Sequence, residues 1–200
     1  MMPWQNDIQS KNIAWYLPRP KRDRYKGGMP LHCEEWLLLL AKEIIGRSVS
    51  NDEILQPFAG LCQYGVRVDI RKDVRPDIVG DAHNLPFKDE SFWIVLCDPP
   101  YSNEEARELY GTPPLQFYKW SKECIRVLKV GGILILYHKL ILPNPNSDQL
   151  KLVKRVFIGH RVWHTPRVAL FFVKKPNLYK RLGLGDRNET ISAARVLRSF

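Results

Sequence analysis

An acid, two prolines and a phenol follow one another at Asp98-Pro99-Pro100-Tyr101. A carboxylate accepts hydrogen bonds or a proton, and a tyrosine offers a flat apolar face with a polar tip. Neither proline has an N–H to give a sheet ladder, so a strand must stop there. The run before them, Phe92-Trp93-Ile94-Val95-Leu96-Cys97, is rich in β-branched and aromatic residues and reads as a buried parallel strand. Ligands of open α/β sheets bind just outside the carboxyl ends of strands. Asp98 to Tyr101 is therefore the candidate site.

The elements that must position it can be read outward from there. Residues 31–46 predict a helix, with Glu34 and Glu35 in its first turn, an apolar face from Leu37 to Ile45, and Gly46 as its cap. Strands are expected at Glu53–Phe58, Val66–Ile70 and Asp77–Gly80. Acids stand at strand ends in Asp69 and Asp81. Beyond Tyr101, residues 102–114 read as a long polar connection with a helical turn at 104–110. Residues 115–129 predict an amphipathic helix ended by Gly131-Gly132, followed by a strand at Ile133–Tyr137. Val153–Ile158 and Val168–Val173 flank a turn and suggest an antiparallel pair closing the sheet. The expected class is α/β: a Rossmann-like, mostly parallel sheet with an antiparallel C-terminal edge strand.

Net charge is +10 and unevenly spread. Residues 1–30 carry six Lys/Arg against two acids, residues 31–150 carry 13 against 17, and residues 151–200 carry 12 against two. Basic ends around a mildly acidic middle point to a polyanionic partner. Three parts are expected: a basic aromatic arm at 1–30, one catalytic domain at 31–175 and a basic tail at 176–200, helical from Thr190. The arm mixes Trp4, Trp15, Tyr16 and Tyr25 with basic residues, a pattern that stacks bases or packs rings onto the domain. Cys33, Cys62, Cys97 and Cys124 form no C-x-x-C pair, which argues against a metal site or disulfide framework and fits a reducing cytoplasm. No apolar run is long enough to span a bilayer.

Taken in order, Phe58-Ala59-Gly60, Asp69, Gly80-Asp81-Ala82-His83-Asn84-Leu85-Pro86-Phe87, Asp98-Pro99-Pro100-Tyr101 and Arg126-Val127-Leu128-Lys129-Val130-Gly131-Gly132 resemble the class I S-adenosylmethionine-dependent methyltransferases. Within them, they are similar to the amino-methyltransferases that carry a D-P-P-Y tetrapeptide. The resemblance spans roughly residues 30 to 175. It implies S-adenosyl-L-methionine as cofactor, held by Phe58, Ala59, Gly60, Asp69, Ile70, Asp81, Ala82, Leu85 and Asp98. It implies that Asp98 and the Pro99 carbonyl accept the two N–H bonds of an exocyclic amine while Tyr101 stacks on the base, Pro100 completing the turn. No metal is implied.

Two positions depart from that family's pattern. Gln56 stands where an acid is common, and Cys62 where a second glycine is common. Only residues 59–65 separate Phe58 from Val66, so the first crossover is shortened and its helix reduced to a turn or lost. Leu61, Gln63 or the helix at 31–46 are then candidates to cover the cofactor. The expected substrate is adenine N6 in DNA, bound through the basic termini. The alternatives are an RNA base, a small molecule, or a non-catalytic subunit that presents nucleic acid to a partner. A protein partner for target recognition is a further expectation. His138, Trp163 and His164 are candidates to face the site, with packing as their other reading.

Overall fold

The computed structural model describes residues 10–18, 28–159 and 165–176. Within them eight strands make one sheet: β1 (Asn12–Tyr16), β2 (Ile54–Gln56), β3 (Val66–Asp69), β4 (Ile78–Val79), β5 (Phe92–Cys97), β6 (Leu128–His138), β7 (Leu150–Gly159) and β8 (Arg167–Lys174). Their order across the sheet is β1-β7-β8-β6-β5-β2-β3-β4. Every pairing is parallel except those of β8, which runs antiparallel to both β6 and β7. The antiparallel strand expected at the C-terminal edge therefore lies two places in, with β7 and β1 outside it.

That outermost strand comes from the N-terminal arm. Residues 12–16 alternate in burial, with Ile13 and Trp15 inward, and lie parallel to β7 in the register Asn12↔Arg155 to Tyr16↔Gly159. Packing is the correct reading for Trp15, which meets Trp36 edge-on with ring centroids 5.8 Å apart. Only the pairing partner, some 140 residues away, makes so short an alternation a strand.

Helices α1 (Cys33–Ile45) and α3 (Phe117–Val127) cover opposite faces, and the short α2 (Asn103–Tyr110) follows the tetrapeptide. The apolar run of β6 serves both faces at once, by the period of two. Ile133, Ile135 and Tyr137 pack with Leu37 and Leu40 of α1, whereas Leu134 and Leu136 pack with Trp120, Cys124 and Ile125 of α3. Burying each such side chain stabilises the fold by about 1.5–3 kcal/mol.

Gly131-Gly132 do not end α3, as the sequence had suggested. The helix stops at Val127 and β6 starts at once. The buried ammonium of Lys174 caps it, donating to the carbonyls of Ile125 (2.9 Å) and Leu128 (2.6 Å). The glycines instead sit inside β6, where a Cβ on Gly132 would fall 2.8 Å from the Trp93 carbonyl oxygen.

The first crossover, residues 57–65, contains no helix. A parallel connection this short is feasible because β2 is three residues long, so the chain has only ~10 Å of strand to climb back. Two glycines with positive φ turn it, Gly60 (48°) and Gly65 (76°). At Gly65 no side chain fits, since a Cβ would lie 2.8 Å from the Ile54 carbonyl oxygen.

Candidate active site

The carboxyl ends of β2, β3 and β5 open onto a cavity of about 770 Å³, within the ~300–1,000 Å³ typical of small-molecule and cofactor sites. Phe58, Ala59, Gly60, Asp69, Ile70, Asp81 and Ala82 line it, as do Asp98, Pro99, Pro100 and Tyr101. Residues expected to hold a cofactor and residues expected to do chemistry thus share one space. Leu85 is placed elsewhere. Its side chain is buried in the core on the α3 side, and its backbone is held by Glu123 and Arg126 of α3. An apolar residue in a turn against a helix is drawn into that helix's packing.

Asp69, at the end of β3, accepts the Gly60 N–H on one carboxylate oxygen and the Arg71 N–H on the other, each at 2.9 Å. It thereby fixes the loop after β2, and each oxygen keeps a further lone pair. Asp81 is tied to His83, accepting its N–H (2.9 Å) and its Nδ1 (2.6 Å). The other ring nitrogen accepts the Gln116 N–H at 3.0 Å, which assigns the proton to Nδ1. Asp81, His83 and the start of α3 form one chain of hydrogen bonds along the cavity wall.

Asp98 follows β5 directly. Burial pushes its carboxyl up to about 8, against the hydrogen bond from Tyr101 and the charge of Arg167, which favour ionisation; Glu105 opposes them. Part of the carboxyl still faces the cavity, so what fills that space sets its charge. Tyr101 is held on several sides. Arg167 Nε donates to its hydroxyl at 3.1 Å, and the guanidinium lies 4.9 Å from the ring centroid. The His138 ring meets it edge-on at 4.8 Å, and Lys139 Nζ is 5.5 Å away. Glu105 of α2 accepts the Tyr101 N–H at 2.6 Å. His138 is therefore a packing residue beside the site. Burial and Lys139 hold its pKa down at about 4, and its neutral Nδ1 accepts the Leu140 N–H at 2.9 Å. Trp163 and His164 lie outside the described residues.

The shortened loop is held from α1. Glu34 accepts Gln56 Nε2 (2.6 Å), the Gln63 N–H (3.0 Å) and the Tyr64 N–H (3.1 Å) on one oxygen. Gln56 also donates to the Tyr64 carbonyl at 2.8 Å. A side chain from a neighbouring helix supplies the contacts that a crossover helix would have made internally. Sequence reading missed this role of Glu34, and that of Arg167. The acid in the first turn of α1 was visible only as a helix-start signal. Tyr110 of α2 was missed as well; it lines the cavity, with the Arg71 guanidinium carbon 5.7 Å from its ring centroid.

Six carboxyl side chains line the cavity (Glu34, Glu35, Asp69, Asp81, Asp98 and Glu105) against two arginines, Arg71 and Arg167. Such a lining suits a ligand bearing positive charge, with hydroxyls to donate at Asp69 and an apolar ring to lie by Phe58, Ile70 and Ala82. Those are the needs of S-adenosylmethionine, a sulfonium with an ammonium group, a ribose and an adenine. Burial raises the thiols of Cys33 and Cys62 well above their ordinary range, which leaves them poor nucleophiles. All four cysteines are free. Among the described residues no cluster of His, Cys, Asp or Glu could hold a metal ion, and no helix is long and apolar enough to cross a membrane.

No family model matches the chain. It is 27% identical over 121 residues to the type II methyltransferase M.BamHI of Bacillus amyloliquefaciens, covering 54% of this chain and 28% of that protein. The chain thus spans well under half the length of that relative. Among solved structures, TrmN from Thermus thermophilus superposes with a TM-score of 0.50 at 16% identity, over 74% of this chain and 50% of that one. The N-methyltransferase NodS from Bradyrhizobium japonicum WM9 gives 0.48 at 12% identity, over 71% and 94%. The fold is the Rossmann-like one of class I methyltransferases.

Proposed function

We propose that this chain is an S-adenosylmethionine-dependent methyltransferase acting on the exocyclic amine of a nucleic-acid base, adenine N6 in DNA. The observation that carries the reading is that Asp98-Pro99-Pro100-Tyr101 opens onto the same cavity as Gly60, Asp69 and Asp81. Similarity to M.BamHI supports a DNA substrate, as do the basic ends of the chain.

S-adenosylmethionine, when bound, supplies an electrophilic methyl group on its sulfonium. Asp69 would take the ribose hydroxyls, Ile70, Ala82 and Phe58 the adenine, and the loop around Gly60 the methionine part. The chain's own work is on the amine. An exocyclic amine is a poor nucleophile because its lone pair is delocalised into the ring. The Asp98 carboxylate and the Pro99 carbonyl accept its two N–H bonds and turn the lone pair out of the ring plane. This is orientation and electrostatic stabilisation. With a pKa near neutrality, Asp98 is also suited to take up the proton that the amine sheds. Tyr101, held by Arg167 and His138, offers a ring wall for a base that has left the helix.

The test is transfer of labelled methyl groups by the pure protein to mixed DNA and RNA, followed by nucleoside analysis. N6-methyladenine in DNA is expected. Label in RNA alone would move the substrate to RNA, and label in neither polymer would overturn the reading.

A further inference from the structure

Immediately beyond β6 the chain changes character. Residues 132 to 138 are all buried, yet Leu140 and Ile141 are 58% and 62% exposed. Two adjacent aliphatic side chains held out into water cost solvation, and no secondary structure requires them there. They are not remote from the site. The Leu140 N–H is tied to His138 Nδ1, the His138 ring lies against Tyr101, and Lys139 between them reaches to 5.5 Å from the same ring. Arg167 contacts Tyr101 as well. Among the described residues neither Lys139 nor Arg167 has an acid within ion-pair distance. The apolar tip thus follows directly on Lys139, and Lys139 and Arg167 both lie against the Tyr101 ring of the tetrapeptide.

We propose that Leu140 and Ile141 form a wedge that enters a nucleic-acid duplex beside the target base and fills the stack that base vacates, while Lys139 holds a neighbouring phosphate. The assignment rests on the methyltransferase reading above and names the feature that would let the site take a base from a duplex. A base leaving its stack gives up stacking and pairing, and an inserted aliphatic side chain offsets part of that loss. A protein-binding surface would account for exposed Leu140 and Ile141 equally well, but not for cations placed within reach of the same tyrosine ring. The mixed chemistry favours nucleic acid, whose backbone is anionic and whose base faces are apolar.

The prediction separates duplex from single strand. Methyl transfer is measured on native and on heat-denatured genomic DNA, with wild type and with Leu140→Ala/Ile141→Ala. The double variant should lose about tenfold or more in kcat/KM on native DNA and stay within about twofold of wild type on denatured DNA, where there is little stack to open. Leu140→Met/Ile141→Leu should keep the native-DNA rate. Lys139→Ala should flatten the log–log salt dependence of duplex binding by about one unit. Equal losses on both forms of DNA, or no loss on either, would overturn the wedge while leaving the methyltransferase reading intact. So would a wild-type dimer that the double variant dissociates, since the pair would then be a protein interface. No transfer by wild type to either form would overturn both.

Discussion

Gln56 Nε2 donates to Glu34 Oε1 at 2.6 Å, joining the carboxyl end of β2 to the first turn of α1. Gln56 is buried. An acid in its place would set two carboxylates at this distance, which would repel in a poorly hydrated site. Gln56→Glu should therefore destabilise the protein by about 1–3 kcal/mol, seen as a lower denaturant midpoint. Glu34→Gln/Gln56→Glu should recover part of the loss. A neutral effect of Gln56→Glu would mean that the pair does not hold the loop.

Glu34→Ala removes the acceptor for Gln56 and for the Gln63 and Tyr64 N–H groups together. With the crossover loop released, S-adenosylmethionine affinity should fall by about tenfold or more, consistent with ~1.5–3 kcal/mol for bonds to a charged group. Calorimetric titration checks this; unchanged affinity would place the cofactor away from the loop.

Asp98 makes activity and stability depend on pH in opposite directions. The form proposed to accept an amine's N–H bond is ionised, and its pKa in the folded chain is about 8. The kcat/KM should rise about tenfold per pH unit below that value and level off above it. For stability, the folded pKa lies above the ordinary value of 3.8. The stabilising contribution is then full below the unfolded pKa and is lost as pH rises through the folded one. The melting temperature of Asp98→Asn relative to wild type should accordingly climb between about pH 4 and pH 8 and stay level beyond. A flat difference would show that the carboxyl titrates normally.

Arg167 acts on that titration from β8, because its positive charge favours ionised Asp98. Arg167→Gln should move the rising limb of the kcat/KM profile to higher pH, whereas Arg167→Lys should hold it nearer the wild-type position. A change in rate with an unmoved midpoint would assign Arg167 to Tyr101 alone.

Asp98 and Asp69 should separate chemistry from cofactor binding. Asp98→Ala should lower turnover by about a hundredfold or more with S-adenosylmethionine affinity little changed. Asp69→Ala removes the acceptor of both the Gly60 and Arg71 N–H groups and should weaken that affinity first, by about tenfold or more. Near-normal turnover in Asp98→Ala would reject the site.

What could be read from residues alone was whatever has a local cause. Period-two and continuous apolar runs marked β3, β5 and β6, acids and glycine bounded α1, and two prolines stopped β5 beside Asp98. The lost crossover helix was legible too, because chain length between Phe58 and Val66 left no room for one. Contacts without a local signature were decided only by tertiary structure. Asn12–Tyr16 is a strand because β7 lies beside it; Leu85 turned to the core because α3 was there to receive it. Glu34 meets Gln56 from 22 residues away, and Arg167 meets Tyr101 from 66. Hydrophobic period and turn chemistry constrain the next few positions of a chain, whereas a hydrogen bond between distant side chains exists only once packing has fixed both backbones. The tetrapeptide and its strand belonged to the sequence; the clamp on the loop after β2 and the arginine that biases its acid belonged to the fold.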